Sequence, residues 1–155
     1  MAEPISLRDF IAAQMKNAMK AGEKTRVGAL RLIMSALKDR EIEARGAGKI
    51  VSRADELALL TKMAKTRAES LVIYKDNGRE DLAAQEAAEI AVINEFLPQQ
   101  MTDAEMTEAA RAAIAQTGAA GMRDMGKVVA ALKDKYPGQM DFAKASGIVK
   151  GLLSA

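Results

Sequence analysis

The chain of 155 residues contains no histidine and no cysteine, and aromatic side chains make up only 3% of it. Without an imidazole or a thiol, nucleophilic dyads of the Ser–His or Cys–His kind are excluded. So are zinc sites built from the usual nitrogen and sulfur ligands. No Gly-rich loop follows a strand-like segment, which removes the fingerprints of phosphate-cradling nucleotide folds. No stretch approaches the roughly 20 apolar residues that span a bilayer. The opening residues 1–6 lack the apolar run behind basic residues that marks a secretory signal. A cytoplasmic chain that does not enter a membrane is the expectation, and the missing cysteines fit a reducing compartment.

What is present is ordinary in amount and uneven in distribution. Apolar residues account for 49% and charged residues for 28%, enough for a real core. With so few aromatics that core must be built from Ala, Leu, Ile, Val and ten methionines, and methionine is the most adaptable of these. Net charge is +2, yet residues 1–40 carry +4, residues 80–108 carry −8 with no base among them, and residues 118–155 carry +3. Two basic ends around an acidic middle can orient the chain on a polyanion.

Start and stop signals divide the chain into about seven helices and show no alternating run of strand length, so the expected fold is all-α. Ser6 followed by Asp9, Ser52 by Asp55 and Thr102 by Glu105 each read as a capping box opening a helix. Gly22, Gly46 with Gly48, Gly78 and Gly118 read as stops. The fourth helix is expected from Glu80 to Leu97, ended by Pro98. The sixth is expected to be capped by Asp124 and to run to Tyr136, and the seventh to be capped by Asp141. The second, from Lys24 to Arg45, would be about 33 Å long. Pro98–Met101 is the expected boundary between an N-terminal antiparallel bundle of about four helices (1–98) and a small three-helix domain (99–155).

Three constellations carry the candidate chemistry. On the second helix Lys24, Arg31 and Lys38 recur at seven-residue spacing beside Ser35, which lines up three cations on one face. Such a row can follow a phosphate backbone, and an ordinary solvated face is the simpler reading. Arg67 falls within the apolar band of the third helix, and Glu86 and Glu89 share the apolar face of the fourth. A charge on a buried face needs a partner, so Arg67 is expected to pair with one or both glutamates, and Arg79 to add a second cation. Inward glutamates can also hold two metal ions, but such sites usually add Glu-x-x-His, so no metal is expected; a carboxylate pair beside an arginine would stay ionised rather than do acid–base work. The C-terminal unit is basic, with Lys127, Lys133, Lys144 and Lys150 on its last two helices. There Gly147 and Gly151 lie one turn apart and either admit a neighbouring helix or expose backbone to a partner.

Taken in order, several segments resemble the GatB/YqeY family, specifically its stand-alone YqeY-like proteins. The carriers are Ala29-Leu30-Arg31-Leu32-Ile33 with Ala36-Leu37, and Arg67 with Glu69-Ser70. They continue with Gly78-Arg79-Glu80-Asp81-Leu82-Ala83, Glu86, Glu89 and Phe96-Leu97-Pro98. In the C-terminal part they are Thr117-Gly118-Ala119, Asp124-Met125-Gly126-Lys127-Val128-Val129 and Ile148-Val149-Lys150. The resemblance implies a helical domain followed by a tail that helps hold tRNA, similar to the C-terminal region of the glutamyl/aspartyl-tRNA amidotransferase B subunit. At the family level it points to carbon–nitrogen ligase activity with glutamine as the amido donor. It brings no catalytic residues, because that chemistry resides in parts this chain lacks. The turn Pro137-Gly138-Gln139-Met140-Asp141-Phe142 departs from the family pattern, which argues against nucleic-acid contact there.

The leading expectation is a non-catalytic module that binds tRNA or other structured RNA and needs no cofactor. Lys127, Lys133, Lys144 and Lys150 would be the contacts, with Lys24, Arg31 and Lys38 as a second patch. The alternatives are an adaptor docking on an amidotransferase or aminoacyl-tRNA synthetase, and an amidotransferase-type enzyme in its own right.

Overall fold

In the computed structural model residues 6–155 are described, and the reading of residues 1–5 as free of a secretory signal lies outside them. Among the described residues every regular element is helical, so the protein is all-α. The order is α1 (Leu7–Ala21), α2 (Lys24–Gly46), α3 (Arg53–Asp76), α4 (Glu80–Asn94), α5 (Asp103–Thr117), a 3₁₀ turn (Met122–Asp124), α6 (Met125–Lys135) and α7 (Phe142–Leu153). None of these helices is long and apolar enough to cross a membrane. The chain forms two compact units, Met1–Phe96 and Leu97–Ala155.

The helix starts follow local hydrogen-bond chemistry. Ser6, Ser52 and Thr102 each accept from the backbone N–H three residues on, and Ser52–Asp55 and Thr102–Glu105 complete reciprocal capping boxes. These side chains satisfy amide donors that a helix start otherwise leaves without partners. At the other end Gly22 and Gly118 adopt φ of 73° and 68° as C-caps, a left-handed geometry that glycine enters without a Cβ penalty.

Two boundaries differ from the sequence reading. The helix α4 ends at Asn94 rather than Leu97, because the N–H groups of Glu95 and Phe96 bond the carbonyls of Val92 and Ile93, three residues back, so the last turn tightens before Pro98. Asp124 does not cap α6 with its side chain. Its carboxylate reaches back to accept the Ala120 N–H at 2.9 Å, and the 3₁₀ turn leads directly into the helix.

The first unit buries Leu7, Ile11, Leu30, Ile33, Leu37, Leu60 and Ile93 around α1–α4. In it α3 packs mainly on α4, and α2 touches α1, α3 and α4. The apolar side of α1 is only partly covered: Met19 is 58% exposed, and the half-exposed Phe10 meets Phe96 edge-on at a ring separation of 5.8 Å. In the second unit α5, α6 and α7 pack on one another around Ala109, Ala110, Val128, Leu132, Met140 and Val149. The turn before α7 is held from within: Gln139 O accepts the Met101 N–H at 2.8 Å, and Gln100 Nε2 donates to Gly138 O at 2.7 Å.

Candidate nucleic-acid interface

The hairpin α3–α4 sets the geometry of a part-buried charge network in the first unit. Gly78 turns the chain at φ 71°, and Arg67 lies eleven residues before it while Glu89 lies eleven after. A hairpin folded about that glycine therefore brings the two side by side. Arg67 Nη1 sits 3.2 Å from Glu89 Oε2 and 3.7 Å from Glu86 Oε2. Glu89 is 9% exposed, the only charged residue that is buried among the described residues. The longer contact is an ion pair without a hydrogen bond, and Glu86 Oε2 and Arg67 Nε have no hydrogen-bond partner in the protein. Arg79 does not join them. Its guanidinium is exposed and holds both oxygens of Asp81 at 3.2 Å, which keeps the Asp81 carboxyl below the usual carboxylate range. Arg79 stands at the very start of α4, and Glu86 is two helical turns further along, about 10 Å away by helix rise, so the first-turn carboxylate captures it.

Glu86 and Glu89 thus face a guanidinium, and among the described residues no three acidic side chains come together as a cage for a metal ion. The arrangement holds two helices in register.

The sequence-predicted cations lie in two settings. In the second unit Lys127 and Lys150 are exposed and enter no ion pair among the described residues. Lys133 is also exposed, with its ammonium 6.0 Å from the centre of the Phe142 ring. Lys144 behaves differently: its Nζ pairs with Asp103 Oδ1 across α7 and α5, so it is already neutralised. Lys127 and Lys133 are six residues apart on α6, as are Lys144 and Lys150 on α7, which turns each pair roughly 120° around its helix. They form flanks, not a single stripe. Lys135, not singled out by the sequence, adds a cation 5.5 Å from the Tyr136 ring.

In the first unit Lys24, Arg31 and Lys38 are all exposed on α2 and also enter no ion pair among the described residues. Two of them border something the sequence reading passed over. Lys24 and Arg31 line a groove of about 420 Å³ between α1 and α2, together with Met19, Val27 and Gly28. The i, i+4, i+7 placement of Lys24, Gly28 and Arg31 was the available signal, since it puts a bare backbone patch between two cations on one helix face. Gly147 and Gly151 also resolve: a Cβ at either would meet nothing within 4 Å, so they do not serve to admit a neighbouring helix of this chain.

Comparison with known proteins comes out on the side of one family. The family model described as Yqey-like protein matches residues 8–153. Altered inheritance of mitochondria protein 41, mitochondrial, of Saccharomyces cerevisiae is 29% identical over 100 residues, 63% of this chain and 51% of that protein. The protein of the same name from Candida glabrata is 35% identical over 86 residues, 54% of this chain and 45% of that protein. That from Lachancea thermotolerans is 33% identical over 88 residues, 55% and 44% of the respective chains. The chain spans about half the length of these curated relatives.

Proposed function

The chain belongs to the YqeY-like family, and from that membership we propose that it works as a non-catalytic, tRNA-binding-like helical module in the cytoplasm, accessory to glutamine-dependent amidotransfer on tRNA. The observation that carries this reading is the state of the C-terminal lysines. Lys127, Lys133 and Lys150 stay exposed and enter no salt bridge among the described residues, although the charge of Lys127 helps to hold the Asp124 carboxyl down. An exposed ammonium outside a close salt bridge is available to displace counterions from a phosphate backbone. Lys144, tied to Asp103, is the weaker contributor. The unit has few aromatic side chains for stacking, so the contacts are to phosphates and overall RNA shape, not to splayed bases.

Binding of the full chain to unmodified tRNA, titrated at several salt concentrations, tests this. Three phosphate contacts give a log–log slope of about −2 to −3 against salt. Lys127→Gln reduces that slope by about 1 while leaving sequence preference untouched. No complex at about 50 mM salt, or one indifferent to salt, refutes the reading. Glutamine-dependent product formation by the purified chain alone would replace it with an enzymatic one.

A further inference from the structure

The groove between α1 and α2 has a different chemistry from the C-terminal lysines. Its floor is apolar: Ala18 is buried, Val27 is half-buried and Met19 is exposed. Gly28 lies on that floor in the second turn of α2, and an added Cβ there would touch nothing within 4 Å. A helical glycine is less favourable than alanine by about 1 kcal/mol, and no close contact within this chain requires one at position 28. What it does is leave bare backbone between Lys24 and Arg31. These two cations lie seven residues apart, two turns or about 10.5 Å along the axis.

The geometry points to this groove as the docking site for an acidic amphipathic helix of a protein partner. The partner's apolar stripe lies over Met19, Val27 and the Gly28 backbone, and two of its carboxylates, two turns apart, meet Lys24 and Arg31. Charge complementarity sets the sign of the partner, and a helix with two carboxylates two turns apart matches the spacing of Lys24 and Arg31. RNA suits the groove poorly, since phosphates gain nothing from an apolar floor and no ring lines it for a base to stack on. The inference goes beyond the RNA reading and is independent of it, because it uses α1 and α2 alone.

The probe is a synthetic helical peptide of about 16 residues, long enough for four turns, with leucines at i, i+3, i+4 and i+7 and glutamates seven apart beside them. Its control replaces the glutamates by lysines. Titrated into the isotope-labelled full chain, the acidic peptide binds saturably and shifts the amides of Met19, Val27 and Gly28. Charge reversal at both Lys24 and Arg31 weakens it by about tenfold or more. Gly28→Gln, which fills the floor with a better helix former, weakens it similarly without lowering the melting temperature. No saturable binding, equal binding of the lysine peptide, shifts confined to other residues, indifference to Gly28→Gln, or displacement of the peptide from these amides by tRNA would each overturn the proposal. Charge reversal at Lys127 and Lys150 weakens tRNA binding and leaves peptide binding unchanged, so the two readings fail separately.

Discussion

In the first unit the hairpin α3–α4 buries Glu89 and half-buries Arg67 and Glu86, whereas the buried core of the second unit is made of alanine, methionine and branched aliphatics alone. Their exposed charges differ too. Arg8 and Arg26 in the first unit reach across helices to Glu41 and Glu95, while in the second Lys144 reaches Asp103 and, among the described residues, Lys127 and Lys150 enter no salt bridge. The difference teaches that charge serves two purposes here. In the first unit it links long helices to one another, Arg67 to Glu89 at the register that the Gly78 turn sets. In the second the interior needs no such pin, because three short helices interlock through small side chains.

The largest effect expected from this comparison lies in the uncharged core. Leu132 is fully enclosed, so Leu132→Ala should destabilise the second unit by about 3 kcal/mol in urea unfolding, through lost burial plus the cavity left behind. Arg67→Met comes next, at about 2 kcal/mol, because it strands Glu89 without a counter-charge; Arg67 is itself part-exposed, which softens the loss. Replacing all three, Arg67→Met with Glu86→Leu and Glu89→Leu, should recover most of that stability. If the triple variant stays as unstable as the single one, the network contributes more than register and the contrast between the units is wrongly drawn.

The glycines sharpen the comparison at a smaller scale. Gly147→Ala and Gly151→Ala should each stabilise α7 by about 0.5–1 kcal/mol, read as a rise in melting temperature, since a Cβ meets open space at both. A fall at either position would mean that this helix face is closer packed than it stands in the structure.

Which of these features the sequence announced depends on their range. Capping by Ser52 and Thr102 and the stops at Gly22, Gly78 and Gly118 are local hydrogen-bond events, legible from three or four neighbouring residues. The Arg67–Glu89 contact was also legible, despite its separation, because the hairpin is symmetric about Gly78. Three features were not. The carboxylate of Asp124 turned upstream to the Ala120 N–H and left the first turn of α6 without a side-chain cap. Arg79 had a nearer acid than the glutamates. The Lys144–Asp103 pair joins residues 41 apart through the packing of α5 on α7, which no local pattern encodes. Met19 shows why the groove was missed: its spacing from Met15 is that of a core residue, and only the assembled helices reveal it as uncovered.

The smallest effect separates the units by the sign of a pH dependence. Glu56, at the start of α3, has its carboxyl pushed up chiefly by burial; the Glu41 charge adds to this and Arg53 opposes it. A carboxyl raised above its unfolded value favours the folded state most at low pH, and that contribution disappears as pH rises through the folded value. Glu56→Gln should therefore stabilise the protein at pH 7 by a few tenths of a kcal/mol, and the gain should vanish below about pH 4. Asp124 in the second unit runs the other way. The Ala120 N–H holds its carboxyl down, so its contribution is present above about pH 4 and fades as pH falls through the lowered folded value. Asp124→Asn should lose stability at pH 7 and match the parent in strong acid. Melting temperatures of both variants followed from pH 7 to about pH 2 should thus diverge from the parent in opposite directions at the neutral end and converge at the acid end, Glu56→Gln first and Asp124→Asn only below the lowered folded value. Differences of the same sign would show that a carboxylate's surroundings do not distinguish the units in the way their cores do.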